Sequence, residues 1–83
     1  MKELLEVIAQ HLVIHPDAVE IRETKTDTMS VLELTVARDD VGRVIGKNGA
    51  TIDAIRTILN AVASRTKRRV MMEIVEPPAG SSR

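Results

Sequence analysis

The residues with the clearest chemical potential lie at 41–52, Val-Gly-Arg-Val-Ile-Gly-Lys-Asn-Gly-Ala-Thr-Ile. Gly46 and Gly49 bracket a basic-polar pair, Lys47-Asn48, between two segments of helical pattern. Glycine lets another backbone approach closely and adopts left-handed dihedrals at little cost. Backbone donors at the start of a following helix favour an anion, and Lys47 and Asn48 add a mobile charge and an amide donor beside them. Two nucleotide motifs fail. A P-loop needs four residues between its glycines and then Lys-Ser/Thr, whereas Gly42 and Gly46 have three between them and Lys47 precedes Asn48. A dinucleotide fingerprint needs G-x-G-x-x-G, and residue 44 is Val.

The charge pattern agrees with an anionic partner. Twelve Lys and Arg balance twelve Asp and Glu. Residues 1–42 nevertheless carry −5, and residues 43–69 carry +6 through Arg43, Lys47, Arg56, Arg65, Lys67, Arg68 and Arg69 against Asp53. Such asymmetry marks the second half as the side for a polyanion; a dipolar surface without function is the alternative. The 83 residues contain no Phe, Tyr, Trp or Cys. Stacking platforms for bases or sugars, disulfides and thiolate zinc sites are thereby excluded.

The elements that must hold this segment are legible from periodicity. Leu4, Leu5, Ile8 and Leu12 predict a helix over 2–13, ending before Pro16. Alternation predicts strands at 18–24 and 31–36, forming a hairpin with Leu32, Leu34 and Val36 on one face. Asp39 or Asp40 is expected to cap a short helix over 41–45. A longer helix, 49–64, shows a core stripe of Ile52, Ile55, Leu59 and Val62, and a last strand at 68–75 alternates Val70, Met72 and Ile74 with Met71, Glu73 and Val75. The order α-β-β-α-α-β implies an α+β sandwich with three helices on one face of a three-stranded sheet. One domain spans 1–76, and 77–83 have the composition of a flexible C-terminal tail.

With this order in hand, Val44-Ile45-Gly46-Lys47-Asn48-Gly49-x-x-Ile52 resembles the signature of the KH domain, in its type II topology. The longer run Asp40–Gly49, with Thr51-Ile52-x-Ala54-Ile55-Arg56-Thr57, resembles the KhpA (YlqC) family of small bacterial RNA-binding proteins over nearly the whole chain. The resemblance implies single-stranded RNA bound through the GXXG loop, which in KH domains clamps about four nucleotides. It further implies an aliphatic groove for the bases formed by Val44, Ile45, Ile52 and the second strand. Gly46, Lys47, Asn48 and Gly49 would hold the sugar-phosphate backbone, with Arg43 and Arg56 as flanking phosphate contacts. The family also implies RNA chaperone or post-transcriptional activity, a homodimer or a heterodimer with a KhpB (Jag)-type partner, and links to cell-wall homeostasis and cell-length control.

Other features fit this frame or stand beside it. Thr51, Ala54, Ile58 and Ala61 form a second, small-apolar stripe on the long helix, read either as a dimer interface (Ala54, Ile58, Ala61) or as a wider core face. The run Arg65-Thr66-Lys67-Arg68-Arg69 is a solvated loop or a second RNA contact. His11 and His15 lack a third ligand at metal spacing, and Ser30, Ser64, Ser81 and Ser82 lack a base, so neither a metal site, a cofactor nor a catalytic constellation is expected. No segment has the ~20 apolar residues of a membrane helix, and Met1–Leu5 opens no signal peptide, so the expected compartment is the cytoplasm. Two alternatives remain open from sequence: a protein-interaction module with vestigial RNA binding, and a single-stranded DNA binder.

Overall fold

A computed structural model describes residues 1–76; the tail expected at 77–83 lies outside the described residues. Six main elements follow the expected order: α1 (Lys2–Leu12), β1 (Glu20–Lys25), β2 (Met29–Thr35), α2 (Val41–Ile45), α3 (Ala50–Ser64) and β3 (Arg69–Ile74). Short 3-10 turns at Pro16–Ala18, Arg38–Asp40 and Lys47–Gly49 join them. The first turn takes the start of the expected 18–24 strand, because Pro16 fixes its own φ for a tight turn.

β2 is the central strand, antiparallel to β1 and parallel to β3. A parallel partner cannot be reached by a hairpin, so the chain crosses over through α2 and α3. The helices therefore collect on one face. Leu32 and Leu34 point to that face, joined by Val70 and Met72 of β3, and they meet Leu5 and Ala9 of α1, Val44 of α2, and Ile52, Ile55, Leu59 and Ala63 of α3. The other sheet face, with Arg22, Met71 and Glu73, is open to solvent.

One position of the expected core stripe is corrected. Ala63 is buried in α3, whereas Val62 is 43% exposed. Eleven residues make just over three whole turns of helix, which returns Ala63 close to the line of Ile52 and leaves Val62 about 80° away.

Two devices finish the sheet. The even residues of β3 turn their backbone groups away from β2, because Arg69 N and Val75 N donate to Thr28 O and Leu34 O on the β2 side. Side chains of α3 occupy this outer edge: Asn60 Oδ1 accepts from Val70 N at 3.1 Å and Arg56 Nε donates to Met72 O at 3.0 Å. Occupied edge groups discourage pairing with another strand. After α3, Lys67 takes a left-handed conformation at φ 59 and Arg68 N reaches back to Ala63 O at 3.1 Å, a Schellman-type stop.

Candidate nucleic-acid interface

The loop at 46–49 is built by three consecutive backbone requirements. Gly46 closes α2 by donating to Gly42 O at 2.9 Å and then leaves helical space at φ 77, ψ 174. A Cβ there would fall onto the Thr51 side chain and 2.9 Å from its backbone nitrogen, so only glycine lets the loop tuck against α3. Asn48 is left-handed at φ 58, ψ 25, a conformation its short amide tolerates better than most side chains. Gly49 follows at φ 76, ψ 11 and donates to Gly46 O at 3.2 Å, which closes the turn.

This backbone turns Lys47 and Asn48 outward, both exposed. It also leaves glycine at the N-cap of the 15-residue α3, with no side chain capping the helix start. The positive end of a long helix dipole therefore faces solvent beside Lys47, an arrangement suited to a phosphate.

The flanking residues separate into different roles. Arg43 is half-exposed on α2, its Nε 3.4 Å from Asp40 Oδ1. Val44 is completely buried and Ile52 is 8% exposed, so both belong to the core beneath the loop; Ile45, at 36%, is the open member of the expected groove. β2 contributes no open apolar surface on the helix side, since Leu32 and Leu34 are fully buried. On β3, Val70 and Met72 are buried as well, and the open apolar side chain at this edge is Met71, 48% exposed. A cavity of about 420 Å³ lies along the β3 edge beside α3, lined by Arg56 and Asn60 of α3, by Arg69, Val70, Met71, Met72 and Glu73 of β3, and by Met29. Arg56 sits inside this groove with its guanidinium on Met72 O and 3.6 Å from Asp53 Oδ1. Asn60, Met29 and the strand edge, which line this cavity, are not among the residues expected from sequence. Val70 and Met72 were legible as one face of a strand, but their position at an edge depends on sheet order, which periodicity does not encode.

Asp40 departs from expectation. It occupies the N-cap position of α2 but makes no capping bond. Its carboxylate, 1% exposed, accepts instead from Ile14 N and His15 N, both at 3.0 Å. Burial alone would raise its pKa; the two backbone donors, with the charges of His15 and Arg43, outweigh this and hold it below the ordinary aspartate value. Asp39 pairs with His15 Nε2 at 3.2 Å. Sequence spacing gave His15 no third ligand, yet the fold brings His15, Asp39 and Asp40 within 4.8 Å. With both Asp40 oxygens accepting backbone bonds and Arg43 alongside, these groups form a hydrogen-bonded network that ties the end of α1 to the start of α2.

The basic run at 65–69 is also divided. Arg68 turns inward, its guanidinium donating to Asp27 O at 3.0 Å, Met29 O at 3.1 Å and Ser30 Oγ at 3.0 Å. Arg65, Lys67 and Arg69 remain exposed at the far end of α3 from the GXXG loop. On α3 itself, Ala54, Ile58 and Ala61 are exposed, Ile58 at 47%, and the displaced Val62 joins them. At 100° per residue this stripe lies on the opposite flank of the helix from Arg56 and Asn60, so a partner there leaves the β3 groove open. No helix among the described residues is long and apolar enough to cross a membrane.

Comparison with known proteins follows the same lines as the geometry. Residues 2–74 match the family model described as the KH domain of KhpA/KhpB. The chain is 49% identical over 76 residues to a Chlamydia pneumoniae protein called RNA-binding protein KhpA, covering 92% of this chain and 97% of that one. It is 47% identical over 75 residues to the protein of that name from Clostridium acetobutylicum, covering 90% of this chain and 100% of the relative. A Listeria monocytogenes protein with the same name is 43% identical over 76 residues, covering 92% and 100%. No solved structure gives a significant match. A GXXG loop between two helices, the α-β-β-α-α-β order and these relatives agree, and the chain belongs to the KhpA/KhpB family of KH domains.

Proposed function

We propose that the protein binds single-stranded RNA non-covalently, with the Gly46–Gly49 loop on the phosphates and the α3–β3 groove beside the bases. The carrying observation is the loop backbone. Gly46 packs on Thr51, Gly49 leaves the start of α3 uncapped, and Lys47 and Asn48 project together from the turn between them. The KhpA name of its relatives, which describes RNA-binding proteins, supports RNA over single-stranded DNA. With Lys47 and Arg43 as the charged contacts, binding is weak and salt-sensitive, each phosphate adding about −0.7 to the slope of log K against log salt.

The cellular reading is an RNA chaperone or post-transcriptional regulator of the cytoplasm, acting with a second KH-containing subunit of KhpB (Jag) type and connected to cell-wall homeostasis and cell length. Family resemblance supports this part. The exposed stripe Ala54, Ile58, Ala61 and Val62 supports self-association or pairing with that subunit, and two linked grooves raise avidity without new contacts. Binding of an end-labelled oligoribonucleotide by the native chain and by Lys47→Asp/Asn48→Asp tests the RNA reading. Loss of binding in a folded double variant supports the clamp; equal binding by both removes it. Ile58→Asp tests the stripe: a monomer by sedimentation supports it, and an unchanged mass contradicts it.

A further inference from the structure

We infer that Asp40 is a positioning residue for the RNA clamp: its buried carboxylate fixes the lever, α2, from which the GXXG loop projects. The inference rests on the RNA-binding reading and deepens it. α2 has only five residues, too few to be stable alone, and no side chain caps its start. Its far end is Gly46, the first residue of the loop. Its near end is held across 25 and 26 positions of sequence, by Asp40 Oδ2 on His15 N and Oδ1 on Ile14 N, each at 3.0 Å. Both donors lie just past α1, whose last backbone bond is Val13 N to Ala9 O, so the carboxylate pairs two amides that no helical carbonyl reaches. Arg43 Nε lies 3.4 Å from Oδ1, which points one flanking cation of the clamp from the same anchor. The side chain is 1% exposed, and α1 belongs to the core through Leu5 and Ala9. Beside the apolar packing of Val44, this charged group ties the near end of the lever, and so the orientation of the loop, to the body of the domain.

Electrostatics and positioning have opposite signs here, which makes the inference testable. Removing the negative charge beside Arg43 strengthens the local attraction for phosphate, so a purely electrostatic effect of Asp40→Asn is tighter RNA binding. Loss of positioning is weaker binding, because an unanchored lever must be ordered when RNA arrives. The experiment measures the dissociation constant for a labelled single-stranded oligoribonucleotide with the native chain, Asp40→Asn, Asp40→Glu and Lys47→Asp/Asn48→Asp. The temperature is one at which circular dichroism shows each to be folded. The expected result is binding about tenfold weaker for both Asp40 variants, including Asp40→Glu, which keeps the charge and displaces its acceptors. Hydrogen exchange in the native chain gives a measurement that requires no variant. By linkage, RNA at saturation slows exchange of the Ile14 and His15 amides if the anchor and the clamp are coupled. If the native chain binds, the Lys47/Asn48 variant does not, and Asp40→Asn binds as tightly as native or tighter, the positioning role is overturned while the clamp stands. Unchanged exchange at Ile14 and His15 on saturation overturns it as well. A native chain that fails to bind RNA overturns the clamp reading itself.

Discussion

Gly46 lies against Thr51 with no room for a Cβ, whereas Gly49, three residues later, has nothing within 4 Å of the position a Cβ would take. The two glycines of the loop are therefore required for different reasons. Gly46 needs both its φ of 77 with ψ 174, a region essentially reserved to glycine, and the space beneath Thr51. Gly49 needs only a left-handed φ of 76. Gly46→Ala is expected to destabilise by about 3 kcal/mol or more, and Gly49→Ala by about 1–2 kcal/mol, with Gly49→Asn intermediate to native. Urea unfolding followed by far-ultraviolet circular dichroism checks this, since the chain has no Trp or Tyr to report tertiary structure. Equal costs at the two positions would contradict the packing of Gly46 on Thr51.

The basic run at 65–69 contains a residue whose charge serves the fold. Arg68 bonds two carbonyls and a hydroxyl in and beside the β1–β2 hairpin, and Lys cannot reproduce the planar fork that meets all three. Arg68→Lys is expected to lower stability by about 1–3 kcal/mol while leaving RNA affinity of the folded protein within about twofold of native. Denaturation together with RNA titration reads both. A stable Arg68→Lys variant with impaired RNA binding would assign Arg68 to the RNA instead.

Lys67 occupies the left-handed position that ends α3, at φ 59, where glycine is the unstrained choice. Lys67→Gly is expected to raise stability by up to about 1 kcal/mol, seen as a higher urea midpoint at unchanged slope. A lower midpoint would show that the lysine side chain stabilises the native state in a way its conformation does not reveal.

How far the sequence carries the structure can be judged from these residues. The hydrophobic alternation of Leu32, Leu34, Val70 and Met72, and the i, i+3, i+7 spacing of Ile52, Ile55 and Leu59, locate the elements because burial imposes a period on the chain. The GXXG loop is legible because glycine is nearly obligatory where backbone must turn left-handed against a neighbour. The sequence pattern places Val62 in the core rather than Ala63, because a buried alanine carries little hydrophobic signal of its own. Asp40 reads as a helix cap from local spacing, yet its partners are Ile14 and His15, and contacts across 25 residues leave no local pattern. The division of labour within 65–69 is hidden for the same reason.

The same anchor sets a pH dependence. Asp40 has a pKa below the ordinary aspartate value in the fold, so the native state holds its proton less tightly than the unfolded chain does. Its contribution to stability is present above the unfolded pKa and is lost as pH falls through the lower, folded value. His15, Asp39 and Arg43 face it throughout this range. Stability near neutrality should be flat with respect to Asp40, and the loss it causes should appear only below about pH 4. Asp40→Asn should unfold at a lower urea concentration at pH 7 and show a shallower acid limb than native. An acid limb as steep as native would remove Asp40 as its source.

The central claim is tested most directly by following backbone amide shifts in a ¹⁵N-labelled sample as a single-stranded oligoribonucleotide is added. The account predicts the largest perturbations at Gly46, Lys47, Asn48, Gly49 and Thr51, with a second set at the Arg56–Met72 groove, and little change at Arg65 and Lys67. Perturbations centred on Arg65 and Lys67, with the loop at 46–49 unmoved, would contradict it.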